Sequence, residues 1–581
     1  MNLINDFDME RISQAIEDIG SLCIADIFSP GKLWYAPVKM DWTTAPEFDP
    51  FGPMDRWGGY DEYGWFRCIF TIPAEADGKE LWVEISQDKR EWYAQNPQFL
   101  LYCNEKPVQG LDLYHESCLL RKKAVSGETL QLDLDAWAGM VTRGRTWSDK
   151  ENRPGLFAIR FFTLEEDIQS FYYDIKTVYE TAKYTDKESE KGLRLRKILN
   201  ETIGQLDFRE KNRFRQTLPE AKKILEQIWE TERTENIQAF CVGHTHIDIA
   251  WMWRFQHTKM KVQRSFSTAL KLLDEYPEYK FMSSQPQLYE YMEETQPEQF
   301  KKIQKYVQES RWEPEGGMWI EADCNLTSGE SLIRQFLIGK KYFLEKFGKD
   351  SKVLWLPDVF GYSASLPQIC KKCGIDYFMT TKISWNEKDK IPFDTFMWKG
   401  VDGTGLLTHF APAKQYDKTD YNPFGFARSP YITTYNGILE PDYVMGGWKR
   451  YSQKTLEPSF LIPYGYGDGG GGTTRDMIEK GKRMEKGIPG CPQVKFSDSL
   501  SFFQYLDQKV KGKKELPEWN GELYLEFHRG TYTSVGEIKR LNRKAESKLQ
   551  ETEFLLCMAQ CVSRVFTWDR EQWKKMEKQF L

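Results

Sequence analysis

Histidine is scarce in this chain, with 6 among 581 residues. Positive charge is not in excess either: 80 Lys and Arg stand against 86 Asp and Glu, and no long basic run occurs. A polyanion such as nucleic acid is therefore excluded as the expected partner. No stretch approaches the ~18 consecutive apolar residues of a membrane span. The opening residues, Met1-Asn-Leu-Ile-Asn-Asp-Phe-Asp8, show neither the basic region nor the apolar run of a secretory signal. The 11 cysteines are odd in number and lack framework spacing, which excludes a disulfide-stapled fold and suits a reducing cytoplasm. Cys370-Lys-Lys-Cys373 has redox-motif spacing but follows Leu366-Pro-Gln in an expected helix, where packing is the simpler role. Asn325-Leu-Thr327 matches a glycosylation sequon that has no meaning without secretion. Internal repeats and low-complexity segments are absent too.

What is present divides into four parts. Residues 1–170 alternate apolar and polar positions in short runs broken by Gly, Pro and Asn, such as Trp65–Ile72, Leu81–Ile85 and Leu130–Leu134, which predicts an N-terminal β-sandwich. Residues 171–235 turn to charged, helix-favouring sequence such as Lys183–Lys197, a helical connector. Residues 236–515 alternate apolar strands with amphipathic helices: strands at Ile237–Val242, Lys280–Ser283, Val353–Leu356, Tyr377–Thr381, Leu406–Phe410 and Phe460–Tyr464, helices at Val262–Tyr276 and Leu332–Phe347. Repeated βα units imply a mostly parallel sheet or barrel. Residues 516–581 are helical again, with Leu555, Met558 and Val562 spaced i, i+3, i+7. The fold class is thus multidomain α/β.

Two of the six histidines fall together. Directly after the Ile237–Val242 strand come His244, His246 and Asp248. Residues two apart in extended chain point the same way, so these groups can share one face at the C-terminal end of a strand, where α/β enzymes hold their chemistry. Neutral imidazole and carboxylate are zinc ligands. Other strand ends carry polar groups as well: Asp358 after Val353-Leu-Trp-Leu-Pro, Lys382 after Phe378-Met-Thr-Thr, and Asp468 after Phe460-Leu-Ile-Pro-Tyr-Gly-Tyr-Gly. Gly317-Met-Trp-Ile-Glu-Ala-Asp323-Cys-Asn325 sets two carboxylates and an amide beside an aromatic ring. Singly, each Asp reads equally well as a helix cap; four such ends meeting at one mouth read as a site. Gly465-Tyr-Gly-Asp-Gly-Gly470 matches GxGxxG, but lacks the Lys-Ser/Thr of a P-loop and lies near the end of the α/β region, whereas a dinucleotide fold opens with its motif. A turn presenting Asp468 to a substrate is the better reading.

Together, His-Thr-His-Ile-Asp248 with Trp251, Trp355-Leu-Pro-Asp358-Val-Phe-Gly-Tyr-Ser363, Tyr466-Gly-Asp-Gly-Gly-Gly-Gly472 and Gly521-Glu-Leu-Tyr-Leu-Glu-Phe-His-Arg-Gly-Thr-Tyr-Thr-Ser534 with Asn542-Arg543 resemble glycoside hydrolase family 38, the retaining α-mannosidases. The glycine-rich and His-Arg-Gly versions resemble its cytosolic and bacterial branch. The resemblance implies a catalytic βα barrel of about seven strands and the start of a three-helix bundle over 516–581. It implies one zinc ion bound by His246, Asp248 and Asp358, with Asp358 doubling as nucleophile and Asp468 as acid/base. Trp251, Trp319, Asp323 and Lys382 would shape the sugar pocket, and mannose-containing oligosaccharides would be the substrates.

The family's fourth zinc ligand, a histidine, is expected beyond residue 581, as are its C-terminal β-domains. The expectation is a truncated chain with little or no activity alone, completed by a C-terminal fragment or assembled as a homo-oligomer. Two alternatives stand beside it. A metal-dependent amidohydrolase or deacetylase also begins with His-x-His but needs histidines on later strands, where only His409 ends one. A non-catalytic carbohydrate-binding remnant would bind sugar without turnover.

Overall fold

The structure, a computed structural model, describes residues 2–38, 47–87, 97–140, 155–230, 236–417, 431–563 and 565–581. The predicted sandwich forms from a five-stranded and a six-stranded sheet. Three of its strands, Tyr63–Thr71, Leu81–Gln87 and Thr129–Trp137, cover the predicted runs to within one residue. Alternation drives the assembly, because the inward residues of both sheets meet in one apolar core. Phe70 stacks on Phe161 at 3.7 Å and Phe66 on Phe157 at 4.2 Å, pairs that lock one sheet to the other.

The first part of the chain differs from expectation. Asn2–Leu22 is a helix, and its Ile12, Ile16 and Ile19 join the core of the helical layer rather than that of the sandwich. The connector is three helices, Glu166–Tyr184, Glu190–Gln205 and Lys211–Glu226. The stretch Lys183–Lys197 is thus broken, and Ser189 starts the second helix by accepting from Gly192 N–H at 3.1 Å. The boundary at 231–235 lies outside the described residues.

Beyond it, strands Trp312–Pro314, Phe281–Ser283, Gln238–His244 and Ser459–Tyr464 are neighbours in one sheet, with Gln493–Phe496 also on Gln238–His244, all parallel. A second sheet runs Val353–Trp355, Tyr377–Thr380, Gly405–Phe410, Thr395–Lys399, Glu518–Asn520, with only Thr395–Lys399 antiparallel to Gly405–Phe410. The six predicted strands are present within a residue or two; the four unpredicted ones are at most five residues long. Period two sorts the Gln238–His244 strand: Ala239 and Cys241 face the helices with Val262 and Phe266, while Phe240 and Val242 face an interior shared with Met282, Val353, Trp355, Met379, Leu407 and Leu461 of both sheets. The two sheets therefore enclose one common core. Helices Gly536–Val562 and Arg570–Phe580 end the chain; Leu555 and Met558 lie on an exposed face of the first, and Val562 at its end is 86% exposed.

Candidate active site

The inward face of Gln238–His244 continues into the loop that follows it. His244 is buried against Trp355 and its Nε2 lies 2.7 Å from the Tyr435 carbonyl; burial lowers its pKa to about 4, so it is a neutral structural group. His246, two residues on, turns to a cavity of about 1750 Å3 lined also by Asp248, Gln285, Glu321 and Asp358. Nδ1 of His246 lies 3.1 Å from Glu321 Oε2, and Nε2 lies 3.4 Å from Asp248 Oδ1 and 3.7 Å from Asp358 Oδ2. Burial opposes charge on this ring, but Glu321 and Asp248 outweigh it and hold the imidazole pKa well above the ordinary range.

Asp358 follows the Val353–Trp355 strand. Its Oδ1 lies 2.5 Å from Lys382 Nζ, and Tyr435 donates its hydroxyl to Oδ2 at 2.7 Å. Burial pushes the Asp358 carboxyl up, yet Lys382 and His246 more than offset it, and the group stays ionised. Lys382 itself sits 4.1 Å over the Trp385 ring. Asp468 opens the short turn Asp468–Gly470, with its backbone N–H donating to Asn436 Oδ1 at 2.8 Å. Burial, then the negative charges of Asp358 and Asp248, raises its pKa to about 6. One site thus contains an ionised carboxylate and a second carboxyl group near neutrality, the division of labour that general acid and nucleophile need.

Gly465 is required where this loop passes the histidine segment. A Cβ on Gly465 would fall 2.5 Å from the His244 carbonyl, and Gly467 accepts the His246 N–H at 3.0 Å.

The remaining predicted residues divide. Asp323 holds its own turn, accepting from Asn325 and Leu326 N–H at 3.0 and 2.6 Å, and lines a recess of about 610 Å3 that shares Asp248, Glu321 and Asp358. Trp251 is 48% exposed on the loop after Asp248, edge-on to Trp253. Trp319 is not on the cavity wall: it is fully buried, edge-on to Tyr342 with Lys578 at 4.8 Å, because the apolar side of its turn closes onto the core. Glu321, Tyr435 and Gln285 escaped selection from sequence. Glu321 lies within the Gly317–Asn325 stretch, while Tyr435 has no local signal. His409 is fully buried, with Nδ1 2.9 Å from Thr395 Oγ1 and Nε2 accepting the Leu461 N–H at 3.3 Å, so it belongs to the core.

The donors suit zinc in type, while Asp358 Oδ2 stands 3.7 Å from His246 Nε2. Neither ring nitrogen of His246 completes a hydrogen bond, and ligands of one tetrahedral zinc stand roughly 3–3.5 Å apart. Glu321 behind Nδ1 is the carboxylate–histidine arrangement that orients a metal-binding ring. Among the described residues no three or more such donors already converge on one point. Asp358 Oδ2 instead accepts from Tyr435, in competition with any ion.

Paired carboxyl groups of divergent pKa in a cleft are the equipment of a glycoside hydrolase. Comparison with known proteins specifies the family. Residues 236–522 match the profile described as the glycosyl hydrolases family 38 N-terminal domain, and 526–581 that of the alpha mannosidase middle domain. The chain belongs to glycoside hydrolase family 38. Alpha-mannosidase G of Dictyostelium discoideum is 34% identical over 532 residues, 89% of this chain and 45% of that one. Human alpha-mannosidase 2C1 is 32% identical over 561 residues, 94% of this chain and 50% of that one. The chain spans about half the length of these curated relatives. The solved structure of an alpha-mannosidase from Enterococcus faecalis V583 overlays with a TM-score of 0.40 at 20% identity, over 50% of this chain and 31% of that one, a likeness too slight to carry an inference. Among the described residues, no helix is long and apolar enough to cross a membrane.

Proposed function

We propose that this chain carries the catalytic machinery of a zinc-dependent, retaining α-mannosidase acting on terminal α-D-mannosyl residues of oligosaccharides. The supporting observation is the meeting of ionised Asp358 and His246 with Asp248 around one cavity, electrostatically coupled to the raised carboxyl of Asp468, in a family whose curated relatives are named alpha-mannosidases. Lys382 and Tyr435 hold the Asp358 carboxylate ionised and aimed. Asp358 attacks the anomeric carbon as the glycosidic bond breaks, and Asp468 gives its proton to the departing oxygen. The Asp468 carboxylate then takes a proton from the water that displaces Asp358, so two inversions restore the starting configuration. His246, Asp248 and Asp358 would hold zinc, which when bound supplies a Lewis acid for sugar hydroxyls. Trp251 offers an apolar ring face to the sugar, Asp323 a carboxylate at the adjoining recess, and Trp319 supports the wall from behind.

In the same proposal about seven of the ten strands of the two sheets form a βα barrel around the common core, and the last two helices begin a bundle. Eleven free thiols suit a reducing compartment such as the cytoplasm. An amidohydrolase is disfavoured because His409 is locked into the core. The test is nitrophenol release from an aryl α-mannoside, with zinc, by the chain and by Asp358→Ala. Little or no release by the chain alone is the expectation, and any release should vanish in the variant. Mannoside binding without turnover in either protein would favour the carbohydrate-binding reading, and neither binding nor turnover by the folded chain would overturn both.

A further inference from the structure

The loop that bears Asp468 has little rigidity of its own. Residues 465–472 include six glycines, and Gly465, Gly469, Gly470 and Gly472 sit at φ of +129°, +81°, +88° and +72°. Glycine surrenders more backbone freedom on ordering than any other residue, so a single loop position must be imposed by its surroundings. Part of the bracing is local: Tyr466 and Gly472 exchange backbone hydrogen bonds of 2.7 and 2.8 Å. A second part comes from the helix Phe255–Glu275, where Ser265 donates to the Gly470 carbonyl and buried Lys261 donates to the Gly469 carbonyl at 3.3 Å.

The third part comes from a different domain. Tyr114, beyond the sandwich strand Lys106–Leu111, stacks on Tyr466 with ring centroids 3.6 Å apart and planes 10° from parallel. His115 lies with Nε2 2.9 Å from the Thr473 carbonyl, and with Nδ1 3.0 Å from Asp112 Oδ1. Both partners are acceptors, so both ring nitrogens must donate. Asp112 Oδ1 also accepts the Tyr114 and His115 N–H groups at 2.8 and 3.0 Å, which shapes the turn that presents the two rings. Sandwich residue Gln98 accepts from Lys261 at 3.3 Å, and Gly110 N–H donates to Thr268 at 3.1 Å on the same helix. Tyr114 and His115 do not line the His246 cavity. They grip the two flanks of the loop, at Tyr466 and Thr473, with Asp468 between.

We infer that the N-terminal β-sandwich is a brace for the catalytic loop, with Tyr114 and His115 as positioning residues that act through the loop on Asp468. The inference rests on the reading of Asp468 as acid/base for its catalytic consequence, but the bracing itself does not need it. Hydrogen exchange of the 465–473 segment in the full chain tests the brace directly. Tyr114→Ala and His115→Asn are expected to speed exchange there about tenfold, the effect of about 1.4 kcal/mol of local opening. Exchange in the Gln238–His244 strand should stay unchanged, and Tyr114→Phe, which keeps the stacking face, should restore protection. With an alkyl mannoside, Tyr114→Ala should lower kcat about tenfold with KM within about twofold, and cause no further loss in an Asp468→Asn background. Unchanged exchange over 465–473 in both Tyr114→Ala and His115→Asn overturns the brace. Faster exchange without turnover in any variant supports the brace and sinks the mannosidase reading instead.

Discussion

Asp468→Asn separates proton delivery from everything else the site does. Asparagine keeps the side-chain shape, and the backbone bond from residue 468 to Asn436 Oδ1 at 2.8 Å is untouched. Burial and the neighbouring Asp358 and Asp248 raise the Asp468 pKa from 3.8 to about 6. At pH 7 a pKa of about 6 keeps ~9% of the enzyme in the acid form, against ~0.06% at 3.8, a gain of about 150-fold. Since the protonated form does the work, kcat/KM should fall about tenfold per pH unit above about pH 6. The variant should lose ~10²–10⁴-fold against an alkyl mannoside, whose leaving oxygen needs a proton, and far less against a nitrophenyl mannoside, whose leaving group departs as an anion. The assay is kcat/KM for both substrates from about pH 4.5 to 8.5, for the chain and the variant. Undiminished alkyl-mannoside turnover in the variant, or a basic limb that survives in it, would refute the reasoning.

The other predictions concern the metal, the nucleophile and the frame. Zinc at about 100 times its Kd should stabilise the chain by about 2.7 kcal/mol, seen as a higher Tm that chelation reverses and His246→Ala abolishes; an unshifted wild-type transition would remove the metal site. Glu321→Gln leaves the His246 ring without its carboxylate, and zinc affinity measured by calorimetry should drop about 10–100-fold. Lys382→Met removes the leading influence that keeps Asp358 ionised against burial. The Asp358 pKa must then rise, so the acid limb of kcat/KM should move to higher pH; a limb that stays put contradicts the ion pair's role. Phe161→Ala empties one half of the 3.7 Å stack between the sandwich sheets, at a cost of about 3–5 kcal/mol in chemical denaturation.

Much of this was legible in local sequence, because local sequence is where the deciding forces act. The alternation of Trp65–Ile72 and the apolar run before His244 each commit a strand through the periodicity of their own side chains, and both strands form. His246, Asp248 and Asp358 stand out because strand ends expose polar groups to one mouth, and they do meet there. Other features had no local signal. Asn2–Leu22 joins the helical layer only because its apolar face finds Ile168, Phe171 and Leu195, more than 140 residues away. The short strands Trp312–Pro314 and Glu518–Asn520 hold too few residues for a period to register.

By itself, then, the sequence determined the order of the domains, the parallel α/β character of the second half and the chemical types at the site, since each follows from spacing within a few residues. Tertiary structure alone decided that Glu321 backs His246, that Tyr435 and Lys382 share Asp358, that Trp319 turns inward, and that Tyr114 and His115 clasp the Asp468 loop from another domain. These contacts join residues tens to hundreds of positions apart. Their partners are chosen by how packed elements meet, and no periodicity along the chain encodes that meeting.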